Sequence, residues 1–120
     1  MNTMYQIIET KEINLDEAIK HIYCLSKAAM DVLKFIRNNG DSLHTTEELA
    51  RKLKLNLSTV QRAVKKLYDC GLLTMKQDNL KGGGYILLYR KMHIGTVQSN
   101  INYILRLYCE CVSEGIKKGW

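Results

Sequence analysis

Residues 45–71 read TTEELARKLKLNLSTVQRAVKKLYDCG, and residues 72–90 continue as LLTMKQDNLKGGGYILLYR. Thr45-Thr46-Glu47-Glu48 fits a capping box, with a hydroxyl at the N-cap and a carboxylate three residues later. Leu49, Ala50 and Leu53 then recur at helical spacing, which predicts a short amphipathic helix ending near Lys54. After the turn Leu55-Asn56, a second helix is expected from about Leu57 to Cys70. Its inward stripe would be Val60, Ala63, Val64 and Leu67, and Gly71 stops it. Asn56 reads as the N-cap of that helix rather than as a contact residue. Two short amphipathic helices across a tight turn make a helix-turn-helix.

Beyond Gly71 the pattern changes to sheet. Leu72-Leu73-Thr74-Met75-Lys76 predicts one strand and Tyr85-Ile86-Leu87-Leu88-Tyr89 a second, rich in aromatic and branched residues. Between them Gln77 to Gly84 is polar and ends in three glycines, so it reads as a mobile turn. A hairpin directly after a helix-turn-helix is a wing. The expected fold class is α+β, mainly α: a winged helix-turn-helix over residues 41–91, with its wing at 72–91.

Flanking elements extend this unit in both directions. The first dozen residues read as a loose arm or a first helical turn. From Asn14, a plausible N-cap, Leu15, Ala18, Ile19, Ile22 and Leu25 recur at helical spacing. Ser26 can cap a second stretch with Ala29, Val32, Leu33 and Ile36 on one face, and Gly40 ends it, giving N-terminal helices over 14–39. Leu43 and His44 form a short extended piece. At the other end a long helix is expected over 93–118. There Val97, Ile101, Ile104, Tyr108 and Cys111 step by 4, 3, 4 and 3, and Leu105 and Val112 widen the seam. A wide apolar face on a terminal helix needs a cover. These seven residues are the expected homodimer interface, with help from the N-terminal helices.

Composition sets the class. A chain of 120 residues, 46% hydrophobic and 25% charged, is long enough for one domain with one core, and residues 1–120 read as such. No window nears the ~18 consecutive apolar residues of a membrane span, and the N-terminus lacks a basic stretch followed by an apolar one. A cytoplasmic protein with no membrane partner is the expectation. The four cysteines, Cys24, Cys70, Cys109 and Cys111, include only a C-x-C. No two of His21, His44 and His93 share a metal-binding turn, so no metal is expected. Packed free thiols are the simplest reading of the cysteines, and redox activity or a disulfide stays open. No metalloprotease HExxH, GxSxG or dinucleotide fingerprint occurs, and no Lys-Ser/Thr comes after the glycines. Neither catalysis nor a cofactor is expected.

Charge points to the partner. The chain carries +6, and between Asp41 and Lys91 ten basic residues oppose five acids, so that region holds +5 of it. From Arg51 to Lys66 there are six cations and no acid. A cationic surface centred on the second helix of a helix-turn-helix attracts a phosphate polymer through counterion release. With the apolar stripe turned inward, Ser58, Thr59, Gln61, Arg62, Lys65 and Lys66 are left outward. Gln can pair with adenine and Arg with guanine in a major groove. Thr45 and Thr46 could donate to a phosphate at the start of the preceding helix. Lys76, Lys81, Arg90 and Lys91 could flank the backbone from the wing. Double-stranded DNA is the expected partner.

The stretch from Thr45 to Lys91, with its polar residue before L-S-T-V and its C-G-L-L after the second helix, resembles the winged-helix regulators of the MarR type. It is most similar to their small archaeal members, related to the Lrs14-like proteins of crenarchaea. The resemblance implies a dimeric transcriptional regulator with two recognition helices in successive major grooves. It also implies that Ser58, Thr59, Gln61, Arg62 and Lys65 contact DNA, with Lys81 and Arg90 serving the wing. The wing loop departs from the pattern by lacking an arginine at its tip. Such regulators often bind a small effector, and its identity here stays unknown. The two other readings are an architectural protein that coats DNA without sequence choice, and a winged helix that binds protein in a larger assembly.

Overall fold

Helix starts coincide with the polar caps. In the computed structural model, which describes residues 3–10 and 12–120, α2 (Leu15–Tyr23) opens with Asn14 Oδ1 accepting from the Glu17 amide at 3.1 Å. α3 (Lys27–Asn38) opens with Ser26 Oγ accepting from the Ala29 amide at 3.1 Å. α4 (Thr46–Leu53) opens with Thr45 Oγ1 accepting from the Glu48 amide, also at 3.1 Å. Each cap satisfies one of the four amides that a helix start leaves without a partner. The break near Ser26 is real: α2 ends at Cys24 in the left-handed region (φ 54°) before Ser26 caps the next helix. Ahead of them, residues Met4–Thr10 form a short helix, α1, so the arm has one helical segment of its own. The loose-arm reading of residues 1, 2 and 11 lies outside the described residues.

α4 and α5 (Leu57–Asp69) form the helix-turn-helix, and the chain between them passes through Lys54 at φ 56°. The inward stripe of α5 is as the periodicity predicts: Val60, Ala63, Val64 and Leu67 are all buried. They meet Val32 and Ile36 of α3, Leu49 of α4 and Leu73 of the wing in one core. Each of these valine, leucine and isoleucine side chains contributes about 1.5–3 kcal/mol by leaving water. Leu15 departs from its expected inward place: it is 61% exposed, at the edge of an open cavity.

The wing pairs β1 (Leu73–Asn79) with β2 (Tyr85–Lys91) in antiparallel register, from Leu73 opposite Lys91 to Asn79 opposite Tyr85. Gln77–Asn79 therefore belong to the strand and not to the turn. Their backbone groups find partners in Tyr85–Leu87, although polar side chains there carry no strand signal. The turn shrinks to residues 80–84, closed by the Leu80 amide on the Gly84 carbonyl at 3.0 Å. Gly82, Gly83 and Gly84 all have φ between 81° and 105°, a region L side chains avoid. At the other end of the wing, His44 and Tyr89 exchange backbone hydrogen bonds of 2.9 and 2.8 Å. The extended piece before α4 is thereby tied to β2.

α6 (Ile94–Gly119) runs for 26 residues and starts from His93, whose Nδ1 accepts from the Gly95 amide at 3.1 Å. Its first half packs on its own domain: Val97, Ile101 and Ile104 are half-buried against the core. Its second half projects, and the described chain reaches 62 Å in its long dimension but only 28 and 26 Å in the others. The seam thus divides, the first three of its residues serving the protomer and Leu105, Tyr108, Cys111 and Val112 standing exposed. No helix among the described residues is long and apolar enough to cross a membrane.

Candidate nucleic-acid interface

Burial of one stripe of α5 dictates what the opposite face presents. Ser58, Gln61, Arg62, Lys65 and Lys66 are exposed, and Thr59 is half-buried at the edge of the stripe. Arg62 and Lys66 have no carboxylate within salt-bridge distance among the described residues, whereas Lys65 Nζ lies 3.0 Å from Asp69 Oδ2. Both partners of that pair are more than half exposed, so it is cheap to exchange for another anion. Arg51, Lys52 and Lys54, on α4 and the turn, are also exposed. Six exposed cations thus lie on α4, the turn and α5, with no acid in the sequence from Arg51 to Lys66.

Thr45 and Thr46 are half-buried at the start of α4. Thr45 spends an oxygen lone pair on its cap, and Thr46 Oγ1 lies 3.2 Å from Glu47 Oε2, a carboxylate that works against a phosphate there. The reciprocal half of the capping box is diverted. Glu48 Oε1 meets His44 Nδ1 at 2.9 Å, and the His44 ring, buried edge-on against Phe35, braces α3, α4 and the wing root together.

The wing cations separate into two groups. Lys81 is exposed on the loop. Lys76 and Arg90, also exposed, and the half-buried Lys91 line an open cavity of about 960 Å³ between the wing, α2, α3 and the start of α6. Its apolar wall includes Leu15, Ile19, Leu33 and Val97. Lys76 also sits 3.7 Å from Asp78. Arg37 joins these cations at the cavity and is held by Asp16 through bonds of 2.6 and 3.3 Å. The Arg37 hydrogen bond holds the Asp16 carboxyl below its ordinary range, and Asp16 in turn raises Arg37. This pairing across 21 residues has no local sequence signal, and only the fold reveals it. Asn56 also differs from expectation. It occupies the cap position of α5 with extended backbone, yet its side chain makes no cap hydrogen bond.

No group of three metal-binding side chains occurs among the described residues. Burial pushes the Cys70 thiol up, which disfavours the reactive thiolate, while Cys24, Cys109 and Cys111 are exposed.

Known proteins share this geometry. The signature of the MarR family matches residues 25–79. A solved structure described as a possible transcriptional regulator from Methanosarcina mazei is 33% identical, covers 89% of each chain and superimposes with a TM-score of 0.78. An uncharacterized protein of Methanocaldococcus jannaschii is 30% identical over 92 residues, 77% of this chain. Transcription factor E of Metallosphaera sedula is 28% identical over 86 residues, 70% of this chain. The matches span 65% and 48% of the lengths of those two relatives.

Proposed function

The chain belongs to the MarR family of winged-helix transcriptional regulators, and from that premise we propose that it acts as a homodimer that binds specific sites in double-stranded DNA. α5 enters the major groove, and the wing lies on the flanking backbone. The observation that carries this reading is the outward face of α5, where Gln61, Arg62, Lys65 and Lys66 are exposed together with no carboxylate from Arg51 to Lys66. These side chains combine phosphate attraction with base-edge hydrogen bonding. Regulation results from occupancy of a promoter, without bond-making chemistry.

Homodimerisation accounts for the apolar surface that the protomer leaves in water. Beyond Ile104, α6 exposes Leu105, Tyr108, Val112 and Ile116, and at the N-terminus α1 exposes Tyr5 and Ile8. A second copy buries these faces together and sets two recognition helices on one duplex, as two-fold symmetry requires. The cavity beside the wing, with apolar walls and cationic residues, suits a small effector with an apolar body and a negative charge. The sequence also leaves two other readings, an architectural coat on DNA and a winged helix that binds protein in a larger assembly.

Fluorescence anisotropy separates these readings. Duplexes from the gene's own promoter and scrambled duplexes of equal length are titrated from low to near-physiological salt. Tight binding that survives only on the promoter duplex, two protomers per site, supports the specific regulator. Equal, salt-fragile binding to both identifies an architectural coat, and no binding at low salt leaves the protein-docking reading.

A further inference from the structure

Four helices in a row, α2 to α5, begin at a polar residue with extended backbone. Asn14, Ser26 and Thr45 each spend the side chain on the helix start, at 3.1 Å. Asn56 does not. Its backbone (φ −65°, ψ 143°) is that of a cap, its carboxamide makes no cap bond, and it is exposed. A cap bond left unmade forgoes part of the helix's stability. The next residue is unusual in a second way. Leu57 is 40% exposed and stands outside the core cluster, among the polar side chains of Asn56, Ser58 and Gln61.

An unspent carboxamide beside an exposed branched hydrocarbon matches one target on a duplex. The side chains that lead the second helix of a helix-turn-helix are those that reach base edges. An asparagine carboxamide pairs with adenine N6 and N7 together, and an apolar side chain packs on the thymine methyl. Both groups lie on the major-groove edge of a single adenine–thymine pair. We propose that Asn56 and Leu57 read an adenine–thymine pair at one position of each half-site: Asn56 takes the adenine and Leu57 the thymine methyl. The proposal rests on the DNA-binding reading above and deepens it, adding two residues to the interface and a base identity to the site.

The test begins with selection from a randomised duplex library by the intact protein. A selected site is then resynthesised with deoxyuridine for each thymidine, or 7-deazaadenine for each adenine, one position at a time. Removing the methyl at the position that Leu57 reads should weaken wild-type binding about fourfold, the equivalent of ~0.8 kcal/mol. Removing N7 of the adenine breaks one arm of a bidentate pair and should cost on the order of tenfold. Leu57→Ser should be indifferent to the missing methyl, and Asn56→Ala to the missing N7. These base changes act on the wild-type protein, so the reading does not depend on either variant folding. Wild-type binding that changes less than twofold at every position overturns the proposal and leaves sequence-specific binding standing. So does sensitivity that persists unchanged in both folded variants. A library from which nothing is enriched overturns the DNA-binding reading itself, and the base assignment falls with it.

Discussion

Replacing Arg62 with glutamine tests the interface at its centre. Arg62 is exposed on α5 with no carboxylate partner among the described residues, so its removal leaves nothing unpaired in the protomer. Folding stability should shift by no more than about 0.5 kcal/mol. Binding is another matter. A bidentate arginine–guanine pair contributes roughly 1–3 kcal/mol of discrimination. A dimer loses two of them, so affinity for a selected site should fall at least about thirtyfold. Salt gives a second reading. If Arg62, Lys65 and Lys66 of each protomer meet phosphates or bases, about six counterions leave and the slope of log K against log salt is near −5. The variant removes two charges, which should flatten that slope by about 2 units. Anisotropy on selected and scrambled duplexes at four or five salt concentrations measures both effects. A folded variant that keeps its preference between the two duplexes within twofold, at an unchanged slope, would refute the placement of α5 in the groove.

Three further outcomes are expected from the geometry. Tyr108, 68% exposed on the free half of α6, should tolerate Tyr108→Glu without loss of protomer stability, yet the variant should sediment as a monomer where the wild type is a dimer. A monomeric wild type at micromolar concentration would refute the dimer. Leu67 is fully buried between α5 and the core, so Leu67→Ala should cost 2–5 kcal/mol in urea denaturation, by roughly the range known for buried leucines. Asp16→Asn removes the partner of Arg37. Because the folded Asp16 titrates below its unfolded value, its contribution is present at neutral pH and fades as pH falls through the folded value. The pair is about a third exposed, so the loss at pH 7 should be only about 1 kcal/mol, shrinking in acid as the Asp16 carboxyl takes up its proton. Thermal melts across that range check the sign.

Local patterns carry most of the fold. Three of the caps, the apolar stripes of α3 and α5 and the two strands are short-range features, set by backbone hydrogen bonding and by which face leaves water. The features that are not legible depend on distant partners. Gln77–Asn79 join the strand because Tyr85–Leu87 lie opposite, and the α6 seam divides at Ile104 because the domain ends beneath it. The outward face of α5 can be read from its buried stripe alone. By contrast, charge alone assigns Lys76, Arg90 and Lys91 to the wing, and only the tertiary arrangement brings them to a cavity with Arg37. Asn56 is a cap by residue type, and whether its side chain performs that role is a matter of rotamer.

The bridge between His44 and Tyr89 grades the stiffness of the wing. At its root, β2 is hydrogen-bonded to the residue that precedes α4's cap, and the Met92 amide bonds to the Leu72 carbonyl at 3.0 Å. Wing root and helix-turn-helix are therefore one rigid lever, and their relative angle carries little conformational entropy to lose when a duplex is engaged. All adaptation is left to the five residues of the tip, where three successive glycines sample conformations closed to other residues. Amide exchange in β2 should therefore be slower at Tyr89, whose amide is bonded to the His44 carbonyl, than at Tyr85 beside the tip.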